Sequence, residues 1–344
     1  MKHTKTLLSL IISMIIALSL LTGCVSTAPD VNEETEQTTA NTTAPAPENI
    51  TVMALNGTTG FGMAKLISDS KNGKAALPYT VSVETDASNI VAMLAKGDCD
   101  IAALPTNAAA NVAKKTNGGV KVIAVNTLGV LYVMSNSEKV TVSSFEDLRG
   151  KTVYCPAQNP TFLFTAICQA NGLTVGTDII IDNAYAQPAD LRSALAAGQV
   201  DIAVLPEPMV TIAKSKNNAL VASLDLTAEW EKHYPENSLM QGCVVVRTEF
   251  LNKHPEAVKT FLDEYRASIE FVNANHEQAA EMIADAGIFA QAPVAQKAIP
   301  NSNICFISGQ EMKSGLKSFY DILLAVAPAS IGGEVPADDF YYVP

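Results

Sequence analysis

Leu94-Ala95-Lys96-Gly97-Asp98-Cys99-Asp100-Ile101-Ala102-Ala103-Leu104-Pro105 is answered 101 positions later by Leu195-Ala196-Ala197-Gly198-Gln199-Val200-Asp201-Ile202-Ala203-Val204-Leu205-Pro206, and eight of the twelve positions are identical. Each stretch ends a helix-like segment at a glycine, continues as an apolar strand and stops at a proline. The same offset, without a gap, pairs Val52 with Val153 and Phe61 with Phe162. Agreement at one offset over more than a hundred residues marks an internal duplication.

Each copy reads as the same α/β unit. In the first, residues 50–55, 79–85, 100–104 and 120–126 read as strands, and 60–70, 88–97 and 106–115 as helices. The second runs through strands at 151–155, 178–184, 201–205 and 219–226, with helices at 161–171, 188–198 and 208–216. Strands alternating with helices imply a mostly parallel sheet flanked by helices in each copy. Two related lobes with a cleft between them follow. Beyond them, 242–250 reads as a strand, and Pro255 opens a helix followed by further helices at 276–287, 292–299 and 308–326. No strand set here can build a sheet of its own, so this segment is expected to return to the first lobe. The expected division is 49–130 plus 247–344 for lobe one and 131–246 for lobe two.

The N-terminus reads as an export signal. Lys2 and Lys5 precede an apolar run from Leu7 to Leu21, short of the roughly 18–20 residues of a spanning helix, with no basic stop-transfer patch after it. Residues 1–23 are assigned to it. Leu21-Thr22-Gly23-Cys24 resembles the lipobox of bacterial lipoproteins, which implies acylation of Cys24 and an extracytoplasmic protein anchored to the cell membrane. Residues 24–48, rich in Thr, Ala, Pro and Glu, have no aromatic residue and no apolar period, and read as a disordered tether.

The chain of 344 residues carries a formal charge of −12 and is 48% hydrophobic, enough for a packed core. The signal contributes +2 and the tether −5, leaving −9 on residues 49–344. An acidic body argues against nucleic acid as a partner, because phosphate contact needs a basic surface.

In open parallel sheets, ligands lie beyond the carboxyl ends of the strands. There the duplication places two matched pairs of loops. The first holds Asn56, Thr58, Thr59, Gly60 and Phe61 opposite Gln158, Asn159 and Thr161; the second holds Thr106 and Asn107 opposite Glu207. Small polar groups at helix starts suit an anionic or strongly polar solute, while Phe61 or Phe162 could stack on a heterocycle. The same residues also serve as turn and cap residues, and Glu207 could simply cap the helix that follows it. Asn126-Thr127 is a weaker candidate at another strand end.

Several runs resemble a known family: Ser144-Phe145-Glu146-Asp147-Leu148-Arg149-Gly150-Lys151-Thr152-Val153, Ala189-Asp190-Leu191 through Gly198, Asp201 through Pro208, and Val244-Val245-Val246-Arg247 followed by His254-Pro255-Glu256-Ala257-Val258. They are similar to the solute-binding lipoproteins of ABC importers for nitrate, sulfonate, taurine, bicarbonate and thiamine-type pyrimidines, over roughly residues 50–330. The resemblance implies a type II periplasmic-binding-protein fold, with a small-molecule solute and a membrane permease as partners; a monomer is expected. Glu207-Pro208 matches the family's acidic-Pro loop, although Pro206 stands where most relatives have an aromatic residue.

None of the candidate loops carries Arg or Lys, so an anion would be held by N–H groups and hydroxyls, and a neutral heterocycle or amide fits equally well. Six cysteines and four histidines show no metal-like spacing, and no nucleophile turn or carboxylate pair emerges. No cofactor and no metal are expected. A binding protein is favoured over two alternatives: a sensor or interaction module, and a pyrimidine-synthase-like enzyme on the same fold. Cys155, near the cleft, is the one thiol marked for testing, and Trp230 is placed in a surface excursion that covers the cleft or merely packs.

Overall fold

The structure, a computed structural model, describes residues 47–344; the expected signal, Cys24 and the tether up to residue 46 lie outside the described residues. The chain begins with β1 (Ile50–Leu55), α1 (Thr58–Phe61), α2 (Ala64–Lys71), β2 (Tyr79–Glu84), α3 (Ala87–Lys96), β3 (Ile101–Pro105), α4 (Thr106–Lys115) and β4 (Val120–Thr127). It crosses to β5 (Leu131–Asn136), β6 (Thr152–Tyr154), α5 (Asn159–Ala170), β7 (Ile180–Asp182), α6 (Pro188–Ala196), β8 (Ile202–Pro206), α7 (Met209–Lys216), β9 (Leu220–Asp225) and α8 (Leu226–His233). The return comprises β10 (Gly242–Arg247), α9 (Thr248–Lys253), α10 (Pro255–Ala274), α11 (His276–Asp285), α12 (Ala292–Ala298), β11 (Ile304–Ile307) and α13 (Gly309–Val326).

The sheet orders display the duplication. One sheet runs β11-β4-β10-β3-β1-β2 and the other β7-β6-β8-β5-β9. Read from opposite ends, the two orders set β2 against β7, β1 against β6, β3 against β8 and β4 against β9. The remaining strand in each is a guest: β5 lies antiparallel between β8 and β9, and β10 antiparallel between β3 and β4. Each lobe thus receives one strand from the chain as it leaves the other.

Residues 242–246, expected in the second lobe, therefore belong to the first sheet. Their pattern explains the placement. Cys243 and Val245 enter one apolar cluster while Val244 and Val246 enter another, so both faces of β10 are buried, as a central strand requires. The expected strand over 242–250 ends at Arg247, where α9 begins. Strand β11, a short edge strand antiparallel to β4, was not expected. The expected helix over 60–70 is broken into α1 and α2 at Gly62-Met63.

Helix α13 is the other departure. Expected on lobe one alone, it packs against β4 in the first lobe and α5 in the second. Its Phe319 ring lies 5.6 Å from Trp230 of α8, and its Tyr320 hydroxyl donates to the Thr106 carbonyl at the start of α4 at 2.8 Å. One apolar cluster consequently runs through both lobes, from Met53 and Val122 to Phe164 and Trp230. Trp230 is no surface residue: it is fully buried and donates through Nε1 to the Asn237 carbonyl at 2.6 Å. The lobes also meet at α7 and α12, where Ile212 of the second lobe is buried in the first lobe's second apolar cluster.

Candidate functional site

Strand β3 ends at Pro105, immediately before α4, and β8 ends at Pro206, from which Glu207 and Pro208 lead into α7. Between them pass the two crossing segments, 128–130 and 239–241, joined to both helix starts by hydrogen bonds. The Thr106 N–H donates to the Gln241 carbonyl at 3.1 Å. The Gln241 side-chain Oε1 accepts from the Val130 N–H at 2.7 Å, and the Val130 carbonyl accepts from the Glu207 N–H at 3.0 Å. Thr106 and Glu207, predicted as a pair from the duplication alone, are thus linked across the crossover through Gln241 and Val130.

A third loop ties into the same network. The Gln241 N–H donates to the Thr127 carbonyl at 3.0 Å, and the Thr127 hydroxyl donates to Asn126 Oδ1 at 3.1 Å. Asn126 Nδ2 then donates to the Thr59 carbonyl at 3.0 Å and to the buried Tyr265 hydroxyl of α10 at 2.9 Å. Asn126 is therefore a buttress of the 57–62 turn, not a cleft-facing group. On the same turn, Ser268 of α10 donates to the Gly62 carbonyl at 2.6 Å and accepts from the Leu66 N–H at 3.1 Å, supplying partners where the helix is broken. A Cβ on Gly60 would lie 2.1 Å from the Leu55 carbonyl oxygen, and one on Gly242 would lie 2.6 Å from Asn126 Oδ1, so these close approaches require glycine.

The predicted residues divide by environment. Asn56 is exposed and Thr59 half-buried, whereas Thr58, Gly60 and Thr106 are buried. Phe61 is wholly enclosed by the first lobe's core, tilted against Phe289 with ring centroids 6.4 Å apart, and offers no face for stacking. The short turn of α1 rotates it inward. Phe162, half-buried, packs on the cluster shared by both lobes. Thr106 spends its hydroxyl on the Met240 carbonyl at 2.8 Å. The fourth loop is held within the second lobe: Thr161 donates to the Pro156 carbonyl at 2.8 Å and accepts from Asn183 Nδ2 at 2.7 Å. In that loop Gln158 is exposed and adopts φ 65°, a left-handed conformation uncommon for a residue with a side chain.

Two asparagines in the first turns of α4 and α5 keep a free end. Asn107, 7% exposed, has no partner for its Oδ1, and neither has half-buried Asn159. The helices they start, α4 and α5, have no side-chain cap, whereas α3 and α8 are capped by Asp86 and Asp225. Their first-turn N–H groups therefore carry the helix-dipole charge without a local carboxylate to quench it.

Glu207 is the opposite case. Its carboxylate, 3% exposed, accepts from the Thr211 N–H at 3.1 Å and the Thr211 hydroxyl at 3.0 Å, capping α7. Burial pushes its carboxyl pKa up; the Thr211 bonds and, more weakly, Lys214 pull it back. The capping alternative is thus realised, and the carboxylate retains lone pairs. Two of the arginines stand in ion pairs away from these loops: Arg149 with Glu146 at 2.7 Å, and Arg247 with Asp100 at 3.0 Å at the far end of β10. Cys155 is buried, with its thiol pushed up to about 12 by desolvation, which makes it inert near neutral pH. No group of three or more His, Cys, Asp or Glu side chains stands ready for a metal among the described residues. A hollow of about 400 Å³ between α4 and the C-terminal tail lies on another face, where Lys114 is paired with Glu334 at 3.0 Å.

The family model described as NMT1/THI5 like matches residues 75–279. The chain belongs to the NMT1/THI5-like family. No curated protein matches it. Among solved structures, an ABC transporter protein from Parabacteroides distasonis is 24% identical, with a TM-score of 0.72 over 87% of this chain and 99% of that one. The periplasmic aliphatic sulphonate binding protein SsuA from Escherichia coli is 15% identical, with a TM-score of 0.70 over 87% and 93%. The periplasmic nitrate-binding protein NrtA from Synechocystis PCC 6803 is 12% identical, with a TM-score of 0.59 over 86% and 85%. This NMT1/THI5-like chain has their two-lobed type II periplasmic-binding-protein fold.

Proposed function

We propose that this protein is the extracytoplasmic solute-binding component of an ABC importer. It is held to the membrane by a lipid on Cys24, captures a small polar or anionic solute between its lobes and hands it to a permease. The observation that carries the reading is the bonded path from Thr106 through Gln241 and Val130 to Glu207, which sets a binding loop of each lobe on the two strands about which the lobes would move. The unpaired carboxamide oxygens of Asn107 and Asn159 and the uncapped starts of α4 and α5 supply polar groups for a solute. The sulfonate- and nitrate-binding proteins with this fold support the same reading. Among the described residues the five cysteines and the histidines form no catalytic arrangement with these loops, so capture without chemistry is preferred to catalysis.

The test is a thermal-shift screen of the purified body with sulfonates, nitrate, pyrimidines, purines and amino acids. A solute at a hundred times its Kd adds about 2.7 kcal/mol, which raises the melting temperature of a domain of this size by about 5 °C. Asn107→Ala should abolish that rise while leaving the melting of the unliganded protein nearly unchanged. No stabilisation by any class would remove the transport reading.

A further inference from the structure

Gln241 lies on the crossover that joins the lobes, and neither motif nor duplication marks it. It is 8% exposed, flanked by Met240, which packs against Gly315 of α13, and by Gly242, which has no room for a side chain. Its backbone is fully used, donating to Thr127 and accepting from Thr106. Its side chain is half used. The Val130 amide can only donate, so the atom facing it at 2.7 Å must be the carboxamide oxygen, and the orientation of the group is thereby assigned. The Nε2 amino group consequently points away from Val130. It has no hydrogen-bond partner among the described residues. A mostly buried polar side chain with both of its N–H donors unengaged costs stability unless another molecule, water or solute, takes them.

Its position says which molecule. Gln241 is bonded to Thr106, whose neighbour Asn107 is only 7% exposed and also has an unpaired end. Two nine-tenths-buried carboxamides with unused capacity thus flank one hydrogen bond at the crossover between the lobes. We propose that Gln241 is a ligand-contacting, specificity-determining residue, whose Nε2 donates to an acceptor atom of the captured solute while its Oε1 stays on Val130. The inference rests on the solute-binding reading above. Contact at this point would couple capture to the crossover itself, because the solute would engage a side chain whose other end holds the first crossing segment. It also favours solutes with a sulfonate, nitrate or carbonyl oxygen over those that present donors alone.

The test uses ethanesulfonate, nitrate and uracil as probes on the wild-type body, Gln241→Glu and Gln241→Met. Glutamate keeps an oxygen for Val130 and replaces the donor, so Q241E should melt near the wild type when unliganded yet bind the stabilising probe at least tenfold more weakly. Methionine removes both groups, so Q241M should bind as weakly and also melt lower. In parallel, the side-chain amide pair of Gln241 in glutamine-labelled wild type, identified by its absence from the Q241M spectrum, should shift on saturation with the probe. Binding by Q241E within twofold of wild type, or an unmoved amide pair, overturns the assignment of Gln241 and leaves the transport reading intact. A wild type that responds to none of the three probes nor to the wider panel removes both.

Discussion

Phe319 is the residue through which the two-lobe packing can be tested most directly. It is fully buried on α13, 5.6 Å from the Trp230 ring of the second lobe and 6.0 Å from Tyr320, whose hydroxyl holds the start of α4 in the first. Phe319→Ala removes a ring from the middle of the cluster that spans both sheets. A buried Phe→Ala change costs about 3–5 kcal/mol, counting lost transfer energy and the cavity left behind. Against a total stability of about 5–15 kcal/mol this is a large fraction, and at about 2 °C per kcal/mol it corresponds to a melting point lower by about 6–10 °C. Phe319→Leu keeps most of the apolar volume and should cost roughly half as much. Urea titration followed by both Trp230 fluorescence and far-ultraviolet circular dichroism is the appropriate assay. Because Phe319 serves both lobes, the two signals should remain coincident in one transition at a lower urea midpoint. A loss below about 1 kcal/mol would refute the reasoning, since truncation of a core Phe cannot be that cheap. So would fluorescence changing well before circular dichroism, which would mean that α13 detaches without disturbing the lobes.

Two further outcomes are expected. Burial holds the folded pKa of Glu207 above its ordinary value, so the folded state binds its proton more tightly than the unfolded chain. The stability this confers is full below the unfolded pKa of about 4.3 and is lost as pH rises through the folded pKa; Glu207→Gln should therefore gain on wild type in melting temperature between pH 4 and 8, and a difference independent of pH would contradict the burial argument. In cells, Cys24→Ala should abolish incorporation of labelled fatty acid and release the protein from the membrane fraction; retention of the variant at the membrane would sink the anchor assignment.

The parts legible in the sequence are those governed by local rules. Gly97 and Gly198 end helices α3 and α6, and Pro105 and Pro206 end strands β3 and β8, so the repeat displays the two lobes and the loops at their strand ends. What escaped was set by pairing across long separations. The pattern Gly242-Cys243-Val244-Val245-Val246-Arg247 says strand, but its insertion between β3 and β4 depends on partners more than a hundred residues earlier. Phe61 looks like a cleft residue until the break at Gly62-Met63 turns it into the core. Gln241 gives no signal at all in sequence, because its role comes from the approach of Val130 and Thr106, which only the crossover brings about. Glu207 was legible as a position, and its capping of α7 was one of its two foreseen roles.

The exchange of strands also fixes the order in which a chain emerging from its N-terminus can complete its parts. Every strand of the second sheet lies in one continuous run, from Leu131 to Asp225. The first sheet, whose strands begin earlier, lacks the member between β3 and β4 until Gly242–Arg247 arrives, and its edge strand until Ile304–Ile307 follows. The half synthesised first is thus the half finished last. A chain cut after residue 241 would carry a finished second sheet and, in the first, two strands facing an unfilled gap whose free N–H and C=O groups would pair with any extended segment offered to them.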